Sequence, residues 1–377
     1  MCIFATAPLR TVARSGRASA RDGRRPSVLE RTQGSRMATD QRRDPVAASR
    51  ATITDVATRA GVSPTTVSHV LSGKRLVAAA TRARVEEVIE ELGFRPNSTA
   101  RQLRTRRSRM VAVIVPDITN PYYGVLTRGL ADVVGADDYG TYVCNTDGSA
   151  DREHTFVHDV IDRGVDGIVM ASISLAAGSP RPGARFDTPV VSVGEKYDNL
   201  AIDLVASNAR LGAREATAHL LSRGAQRVAM IQGPRGEGAE RARGYGEAIA
   251  DAGHEPRQEL MVHGDWTRSG GRTAMHALMA LRPQPDAVFC ANDLTAIGAI
   301  DAAHELGLRI PEDLALVGFD DVDAATIVTP HLTTVRNPSY DTGREAGQLL
   351  VSRMLGEYTG PGRTVVLPCP LIQRAST

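Results

Sequence analysis

Residues 52–72 read TITDVATRAGVSPTTVSHVLS, and their pattern predicts the fold of the N-terminal module of the chain. Thr52 and the acid three residues later have the spacing of a capping box, and apolar residues then recur at helical spacing. Gly61 is suited to the left-handed conformation that ends a helix. Ser63 followed by Pro64 supplies an N-cap and a first residue for a second helix. Two short helices around a tight, glycine-containing turn predict a helix-turn-helix.

The second of these helices has two unlike faces. Val67, Val70 and Leu71 are predicted to face inward. The residues predicted to face outward are small and polar and include one ring; they are Thr65, Thr66, Ser68 and His69. A helix of this width fits the major groove of DNA, where its outer side chains reach the base edges.

A third helix is predicted from Thr81 to Gly93. Its buried side is expected to consist of Val85, Val88, Ile89 and Leu92. By spacing alone, a plain three-helix packing unit without a DNA-binding role is the alternative interpretation of the module.

The residues of this module are similar to a known headpiece. The segments TITDVA (52–57), AGVS (60–63), TVSHVL (66–71) and GFRPN (93–97) resemble the DNA-binding domain of the lactose-repressor (LacI/GalR) family of bacterial transcription regulators. The resemblance implies that Pro64, Thr65 and His69 contact bases. Many members of that family have Arg where His69 stands, which leaves the operator sequence open.

The next segment, residues 97–107, reads NSTARQLRTRR. A helix this short is marginal in water because nucleation is costly, so a linker is the bland interpretation. The pattern of Asn97, Ala100 and Leu103 resembles the hinge helix of the same family, in which two copies pair in the minor groove. The resemblance implies that the leucines wedge into a central base step. Arg101 and Arg104 are suited to phosphate contacts.

Charge is distributed unevenly along the chain. Residues 1–49 contain ten Arg and four acids, and residues 50–109 contain twelve basic and five acidic side chains. The whole chain has a formal charge of only +2, so residues 110–377 have a net charge of −11. A basic N-terminal part (1–109) followed by an acidic remainder (110–377) is typical of a polyanion-binding module joined to a separate domain. A solvated charged surface would give the same composition.

Residues 1–49 show no apolar period and are predicted to be a disordered, Arg-rich extension. A start of translation at Met37 is an equally acceptable interpretation. The chain has no apolar stretch long enough for a membrane span, and no secretory signal is evident. The four cysteines are widely spaced, which favours a reducing, cytoplasmic location without a zinc site or a disulfide framework.

From residue 110 onward, short apolar runs alternate with amphipathic stretches, which predicts parallel sheets covered by helices on both faces. The predicted strands are 111–115, 141–145, 167–171, 189–193, 227–232, 259–263, 287–291, 314–319, 333–336 and 364–367. The predicted helices are 121–136, 151–163, 208–223, 238–252, 268–281, 294–306 and 340–356. More than 250 residues of this pattern favour two lobes over one sheet. The predicted fold is therefore an all-α headpiece (50–96), a hinge (97–109) and a two-lobed α/β domain (110–377).

Polar and aromatic residues follow several of the predicted strands. They are Asp117, Asn120, Tyr122, Tyr123, Trp266, Asn292, Asp293, Asp320 and Asp321, with Arg241 early in a helix. Each has an ordinary structural explanation, such as a helix cap or a core position. Together they lie at the carboxyl ends of strands, where such folds bind ligands, here between the lobes.

The family resemblance also covers this body. It implies a domain like the periplasmic sugar-binding proteins, with two lobes linked by three crossovers. The family positions that line the effector cleft correspond to Tyr122, Tyr123, Arg241, Trp266, Asn292 and Asp320, and we add Asn120. Ser207-Asn208 and Gly194-Glu195 depart from the common family pattern, so the effector class stays open between a sugar, a nucleoside and a purine.

No nucleotide-hydrolysis, dinucleotide, zinc-protease or serine-hydrolase motif is present in the sequence. We therefore predict no enzyme activity, cofactor or metal. The predicted function is a DNA-binding regulator, most simply a repressor, that binds a pseudo-palindromic operator as a homodimer and responds to a small molecule. A solute-binding receptor without DNA function is the alternative, together with a less favoured enzyme of Rossmann type.

Overall fold

A computed structural model describes residues 51–73, 75–95, 107–171, 187–194, 202–234 and 238–377. The predicted extension (1–49) and most of the predicted hinge, including Asn97, Ala100, Arg101, Leu103 and Arg104, lie outside these residues. By their contacts, residues 1–98 and 99–377 form two separate units. None of the helices in the described ranges combines the length and apolarity needed to cross a membrane.

The first unit contains the three predicted helices, α1 (Ile53–Ala60), α2 (Pro64–Ser72) and α3 (Ala79–Glu91). The turn between α1 and α2 passes through Gly61, whose φ of 63° is the left-handed conformation that glycine adopts without strain. The helices enclose a small core of buried side chains, made by Val56, Ala57, Ala60, Val67, Val70, Val85, Val88 and Phe94. The helix-turn-helix prediction is confirmed.

Two details of the headpiece prediction were wrong. Leu71 is 40% exposed and Leu92 is 37% exposed, so neither belongs to the core. Leu71 lies in the last turn of α2, and Leu92 is the residue that directly follows α3, so both are at helix ends. The third helix begins at Ala79 rather than at Thr81, with Ala78 as an N-cap that makes no side-chain hydrogen bond.

The second unit consists of two six-stranded sheets, each within a separate lobe. In chain order the strands are β1 (Met110–Val115), β2 (Gly140–Asn145), β3 (Gly167–Met170), β4 (Val190–Val193), β5 (Asp203–Ser207), β6 (Val228–Gln232), β7 (Met261–His263), β8 (Ala287–Cys290), β9 (Ala315–Asp320), β10 (Thr333–Arg336), β11 (Thr364–Leu367) and β12 (Leu371–Ile372). The first sheet has the order β11-β5-β4-β3-β1-β2 and the second β12-β10-β9-β8-β6-β7. All pairs are parallel except β10 with β12.

Helices cover both faces of each sheet, as predicted. They are α4 (Pro121–Gly135), α5 (Ala150–Asp162), α6 (Ala209–Ser222), α7 (Ala239–Asp251), α8 (Arg268–Met279), α9 (Asp293–Glu305) and α10 (Ser339–Met354). Helices α4 and α10 cover one face of the first sheet and α5 the other. Helices α8 and α9 cover one face of the second sheet, and α6 and α7 the other.

The chain passes between the lobes three times, as the resemblance implies. The passages are the connections from β5 to β6, from β10 to β11 and from β11 to β12. The ten predicted strands and seven predicted helices of this unit are all present, with ends that differ by at most two residues. Strands β5 and β12 were not predicted. β12 has only two residues, too few to give a pattern. β5 begins with the charged Asp203, so its apolar residues do not form a recognisable buried run.

Candidate functional site

The N-terminus of α2 is organised by its own hydroxyl groups. Ser63 is the N-cap: its Oγ accepts a hydrogen bond from the Thr66 amide at 3.1 Å and lies 2.9 Å from the Thr66 hydroxyl. Thr66 is thus partly turned toward the cap rather than fully outward. Pro64 and Thr65 are exposed, and Ser68 and His69 are partly exposed, so the polar face predicted for α2 is on the surface of the unit.

Helix α1 begins with the predicted capping box. The Asp55 amide donates to Thr52 Oγ1 at 3.3 Å, and the Thr52 amide donates to Asp55 Oδ2 at 2.8 Å. The backbone hydrogen bond, followed by the one from the Thr52 hydroxyl, lowers the pKa of Asp55. Both residues are exposed, and the Thr52 side chain holds the start of α1 in place at the surface.

The described chain resumes at Arg107, within the predicted hinge (97–109). Its guanidinium donates to the Tyr139 hydroxyl at 3.3 Å and to the Met354 carbonyl at 3.1 Å. The next residues are fixed by Asp166, whose Oδ2 accepts from the Arg109 amide at 2.7 Å. The segment that enters the first lobe is therefore anchored to the end of α10 and to the loop after α5.

The predicted cleft residues do lie at the carboxyl ends of parallel strands. Asn120 follows β1 and caps α4, accepting a hydrogen bond from the Tyr122 amide at 3.0 Å. Asn292 follows β8 and caps α9, accepting from the Thr295 amide at 2.9 Å. Asp320 is the last residue of β9. Strand order and helix caps together place these polar groups.

Arg241 is the centre of the polar cluster. Its Nη2 lies 3.3 Å from Asp320 Oδ1, and its Nη1 donates to the Ala291 carbonyl. The guanidinium carbon lies 3.9 Å from the centre of the Phe319 ring and 5.5 Å from that of Trp266. A guanidinium between two rings with a carboxylate at its edge is held in one orientation.

Trp266 is fixed from several sides. Its backbone has a φ of 66°, and its carbonyl accepts a hydrogen bond from Asn292 Nδ2 at 3.0 Å. A Cβ atom at Gly233 would lie 2.2 Å from the indole, so only glycine leaves room for the ring there. The sole tryptophan of the chain thus belongs to the polar cluster as well as to the neighbouring core.

Asp320 is 8% exposed and has a φ of 110°, an unusual conformation for a residue with a side chain. Burial raises its pKa, and the charge of Arg241 and hydrogen bonds from Asn337 and Arg241 oppose that rise. Asn337 Nδ2 donates to Asp320 Oδ1 at 3.1 Å. Asn337 was not predicted. It directly follows β10, so the rule that site residues lie at the carboxyl ends of parallel strands could have identified it.

Two tyrosines of the first lobe are also among the predicted cleft residues. The rings of Tyr122 and Tyr123 meet edge to face with centres 5.2 Å apart. Burial raises the pKa of Tyr122, and the charge of Asp320 in the second lobe adds to the rise. The two lobes therefore bring an aromatic pair and a carboxylate–guanidinium pair together.

The arrangement offers aromatic, charged and amide groups for binding a small molecule. Within the described residues, no group of three or more His, Cys, Asp or Glu side chains could hold a metal ion. Aromatic faces combined with a carboxylate, a guanidinium and amides suit a small polar molecule with apolar faces, such as a sugar or a nucleoside.

Two family models match the chain. One, described as bacterial regulatory proteins of the lacI family, covers residues 52–97, and one described as a periplasmic binding protein-like domain covers residues 217–377. The ribose operon repressor of Halalkalibacterium halodurans is 35% identical over 305 residues, which are 80% of this chain and 90% of that protein. The HTH-type transcriptional repressor CytR of Escherichia coli K12 is 34% identical over 329 residues, 87% of this chain and 96% of that protein.

Solved structures show the same likeness. A complex of the transcriptional regulator CelR with cellobiose has a TM-score of 0.65 and 32% identity, over 87% of this chain and all of that one. A lac repressor dimer bound to operator and the anti-inducer ONPF has a TM-score of 0.75 and 25% identity, over 86% and 98% of the two chains.

Proposed function

The chain belongs to the LacI family of bacterial transcription regulators, and from this membership we propose that it is a repressor whose hold on a specific operator is set by a small molecule in the cleft between its two α/β lobes. We further propose that it works as a homodimer in the cytoplasm, without enzyme activity. The proposed organisation is a headpiece at 50–96, a hinge at 97–109 and an effector domain at 110–377.

The observation that favours DNA binding most is the exposed polar face of α2 on a capped helix-turn-helix. We assign base contacts to Pro64, Thr65 and His69. Supporting contacts with the duplex are assigned to Thr52, Ser63, Thr66 and Ser68, and hinge contacts to Asn97, Ala100, Arg101, Leu103 and Arg104. The basic charge of residues 50–109 supplies phosphate affinity that weakens with salt.

A homodimer is supported by an exposed apolar edge in the first lobe. Strand β2 lies at the edge of its sheet, where Tyr142 and Val143 are both exposed, and Val125 of α4 is exposed as well. An uncovered apolar edge strand invites pairing with another chain. Two paired headpieces would read two half-sites of a pseudo-palindromic operator. Sedimentation of the full chain with and without operator tests this assembly.

For the effector, we assign Asn120, Tyr122, Tyr123, Arg241, Trp266, Asn292 and Asp320 to the binding surface. The contact of Arg241 with Asp320 between two rings is the observation that carries this assignment. A thermal-shift screen of the full chain against ribose, cellobiose, other sugars, nucleosides and purines tests it. A ligand is identified by a raised midpoint of thermal unfolding and by an altered gel shift with operator. If no compound of these classes gives such a result, the proposal is contradicted.

Substituting His69→Ala is expected to change which operators are bound. A good side-chain contact with a base discriminates by about 1–3 kcal/mol, so preference at one base pair of each half-site should fall by about tenfold or more. Affinity for nonspecific DNA should stay the same. Selection from random duplexes, followed by gel-shift titration, measures both. His254→Ala, an exposed histidine of the second unit, is the matched control; a uniform loss on all sequences would contradict base contact.

Substituting Leu103→Ala is expected to reduce the bend of the operator. Insertion of the Leu103 side chain at a base step costs a few kcal/mol of base stacking, and it bends the site so that the DNA makes more contacts with the protein. Loss of this side chain should therefore straighten the duplex and weaken binding by about tenfold. Energy transfer between dyes at the two ends of the operator measures the bend. Leu306→Ala, an exposed leucine of the second lobe, is the control. An unchanged bend would remove Leu103 from the interface.

A further inference from the structure

Asp293 is a buried acid directly behind the cleft, and the site described above does not use it. It is the first residue of α9, next to the cleft residue Asn292, and its exposed fraction is 0%. A carboxyl group so deeply buried is costly unless its hydrogen bonds are satisfied.

Both oxygens of Asp293 have neutral partners. Oδ1 accepts from the Thr334 hydroxyl on β10 at 2.5 Å, and Oδ2 accepts from the Val322 amide at 2.9 Å. A Cβ atom at Gly318 would come within 2.2 Å of Oδ1, so β9 passes close to the carboxyl group because its residue there has no side chain. Asp293 thus joins α9 to β9, β10 and the turn between them.

The turn that Asp293 holds is the one that presents Asp320. Asp320 and Asp321 have φ values of 110° and 57°, both in the region that favours glycine. Two such residues in succession are unfavourable, and the surrounding structure has to maintain them. Val322 is the next residue, and its amide is fixed by Asp293. The direction of the Asp320 carboxylate therefore depends on this contact.

The charges that face Asp293 are acidic. They are Asp320 and Asp321 at the end of β9, and the Cys290 thiol of β8 is its other titratable neighbour. In the described residues, the guanidinium of Arg241 is paired with Asp320, and no hydrogen bond or ion pair joins a basic side chain to Asp293. Burial and then the charge of Asp320 raise the pKa of Asp293 to about 8, although hydrogen bonds from Thr334 and Val322 oppose the rise.

We propose that Asp293 is a positioning residue for the effector-binding carboxylate: it accepts from the Thr334 hydroxyl and from the Val322 amide, and so fixes the turn that aims Asp320 into the cleft. The inference rests on the proposed role of Asp320 in effector binding.

Two substitutions of nearly equal shape test the proposal. Asp293→Asn keeps a side-chain oxygen that accepts from the Val322 amide. Asp293→Leu has the same branching without polar atoms. Hydrogen exchange of the full chain at neutral pH, read by mass spectrometry on a peptide that covers residues 320–326, reports the Val322 amide. We expect exchange at least about tenfold faster in Asp293→Leu and within about threefold of the wild type in Asp293→Asn.

Each outcome decides a part of the proposal. Unchanged exchange in Asp293→Leu would overturn the positioning role. Equally fast exchange in both variants would show that the negative charge of Asp293, rather than an oxygen that accepts from Val322, holds the turn, which overturns the assigned hydrogen bond. If Asp293→Leu does not fold by circular dichroism, Thr334→Val takes its place: it removes the hydroxyl that donates to Asp293 Oδ1, and unchanged exchange there overturns the role. The hydrogen-exchange experiment contains no effector. A result that overturns the role of Asp293 would therefore not contradict the proposed effector site, which the ligand screen tests separately.

Discussion

The double variant Arg241→Ala/Asp320→Ala is expected to lose its response to effector while it keeps its affinity for operator. Hydrogen bonds to charged groups contribute about 1.5–3 kcal/mol each, so loss of both charged groups should weaken effector binding by at least about a hundredfold. The headpiece is a separate contact unit from the lobes, so its core and the caps of α1 and α2 are untouched by this change.

The double variant is a cleaner test than either single one. Arg241 and Asp320 are both largely buried and paired with each other. Removal of one partner leaves the other as an uncompensated buried charge, which costs about 3–5 kcal/mol and would confuse a loss of binding with a loss of folding. Removal of both avoids that charge.

The measurements are calorimetric titration with the effector found by screening and gel shift with operator. Arg243→Ala is the matched control, because Arg243 lies two residues further along α7, is exposed, and pairs only with the neighbouring Glu240 among the ion pairs of the described chain. An effector response that persists in the double variant would place the binding surface elsewhere in the body.

The parts of this structure that the sequence predicts are those set by local chemistry. Thr52 and Ser63 cap helices through residues three positions away, so spacing alone locates α1 and α2. The placement of Asn292 and Asp320 follows from the rule that parallel strands end at one edge of a sheet. The exposure of Leu71 and Leu92 was missed because helical spacing does not show where a helix lacks a neighbour.

The remaining parts depend on residues distant in sequence. Asn337 reaches Asp320 because β10 pairs with β9 and places Arg336, the residue before Asn337, opposite Asp320. Asp293 has the sequence signal of an ordinary helix start, and its contact with Val322 depends on how α9 packs against the turn after β9. Strand β5 was missed for a similar reason: an acid at its first residue argues against burial unless its partners are known.

Asp203, the first residue of β5, is the second position at which a substitution is expected to have a large effect, here on stability. Its carboxylate is fully buried and accepts two hydrogen bonds at 2.7 Å from the Arg353 guanidinium at the end of α10. The Arg363 amide and Nη2 each donate to it at 2.7 Å, just before β11. The ring of Tyr358 lies 5.0 Å from the Arg353 guanidinium carbon and 4.1 Å from that of Arg363. One acid thus joins β5, α10 and β11.

Substituting Asp203→Asn is expected to lower the free energy of unfolding by about 3–5 kcal/mol, because it leaves two guanidinium groups without their buried counter-charge. Urea unfolding at pH 7, followed by circular dichroism, measures the change. Asp341→Asn removes an exposed partner of Arg344 and is the control, with an expected change of at most about 1 kcal/mol. A change in Asp203→Asn as small as that of the control would mean that the three-element junction is held by apolar packing alone.

The same carboxylate predicts a dependence on acid. Burial alone would raise the pKa of Asp203, but the hydrogen bonds from Arg353 and Arg363 outweigh it and lower the pKa to about 2. A carboxylate whose pKa is lower in the folded chain than in the unfolded chain, where it is about 3.9, stabilises the fold fully above that value and progressively less as the pH falls toward 2. The wild type should therefore lose stability more steeply than Asp203→Asn between pH about 4 and 2. Parallel unfolding curves over that interval would show that Asp203 has no ionised role in the fold.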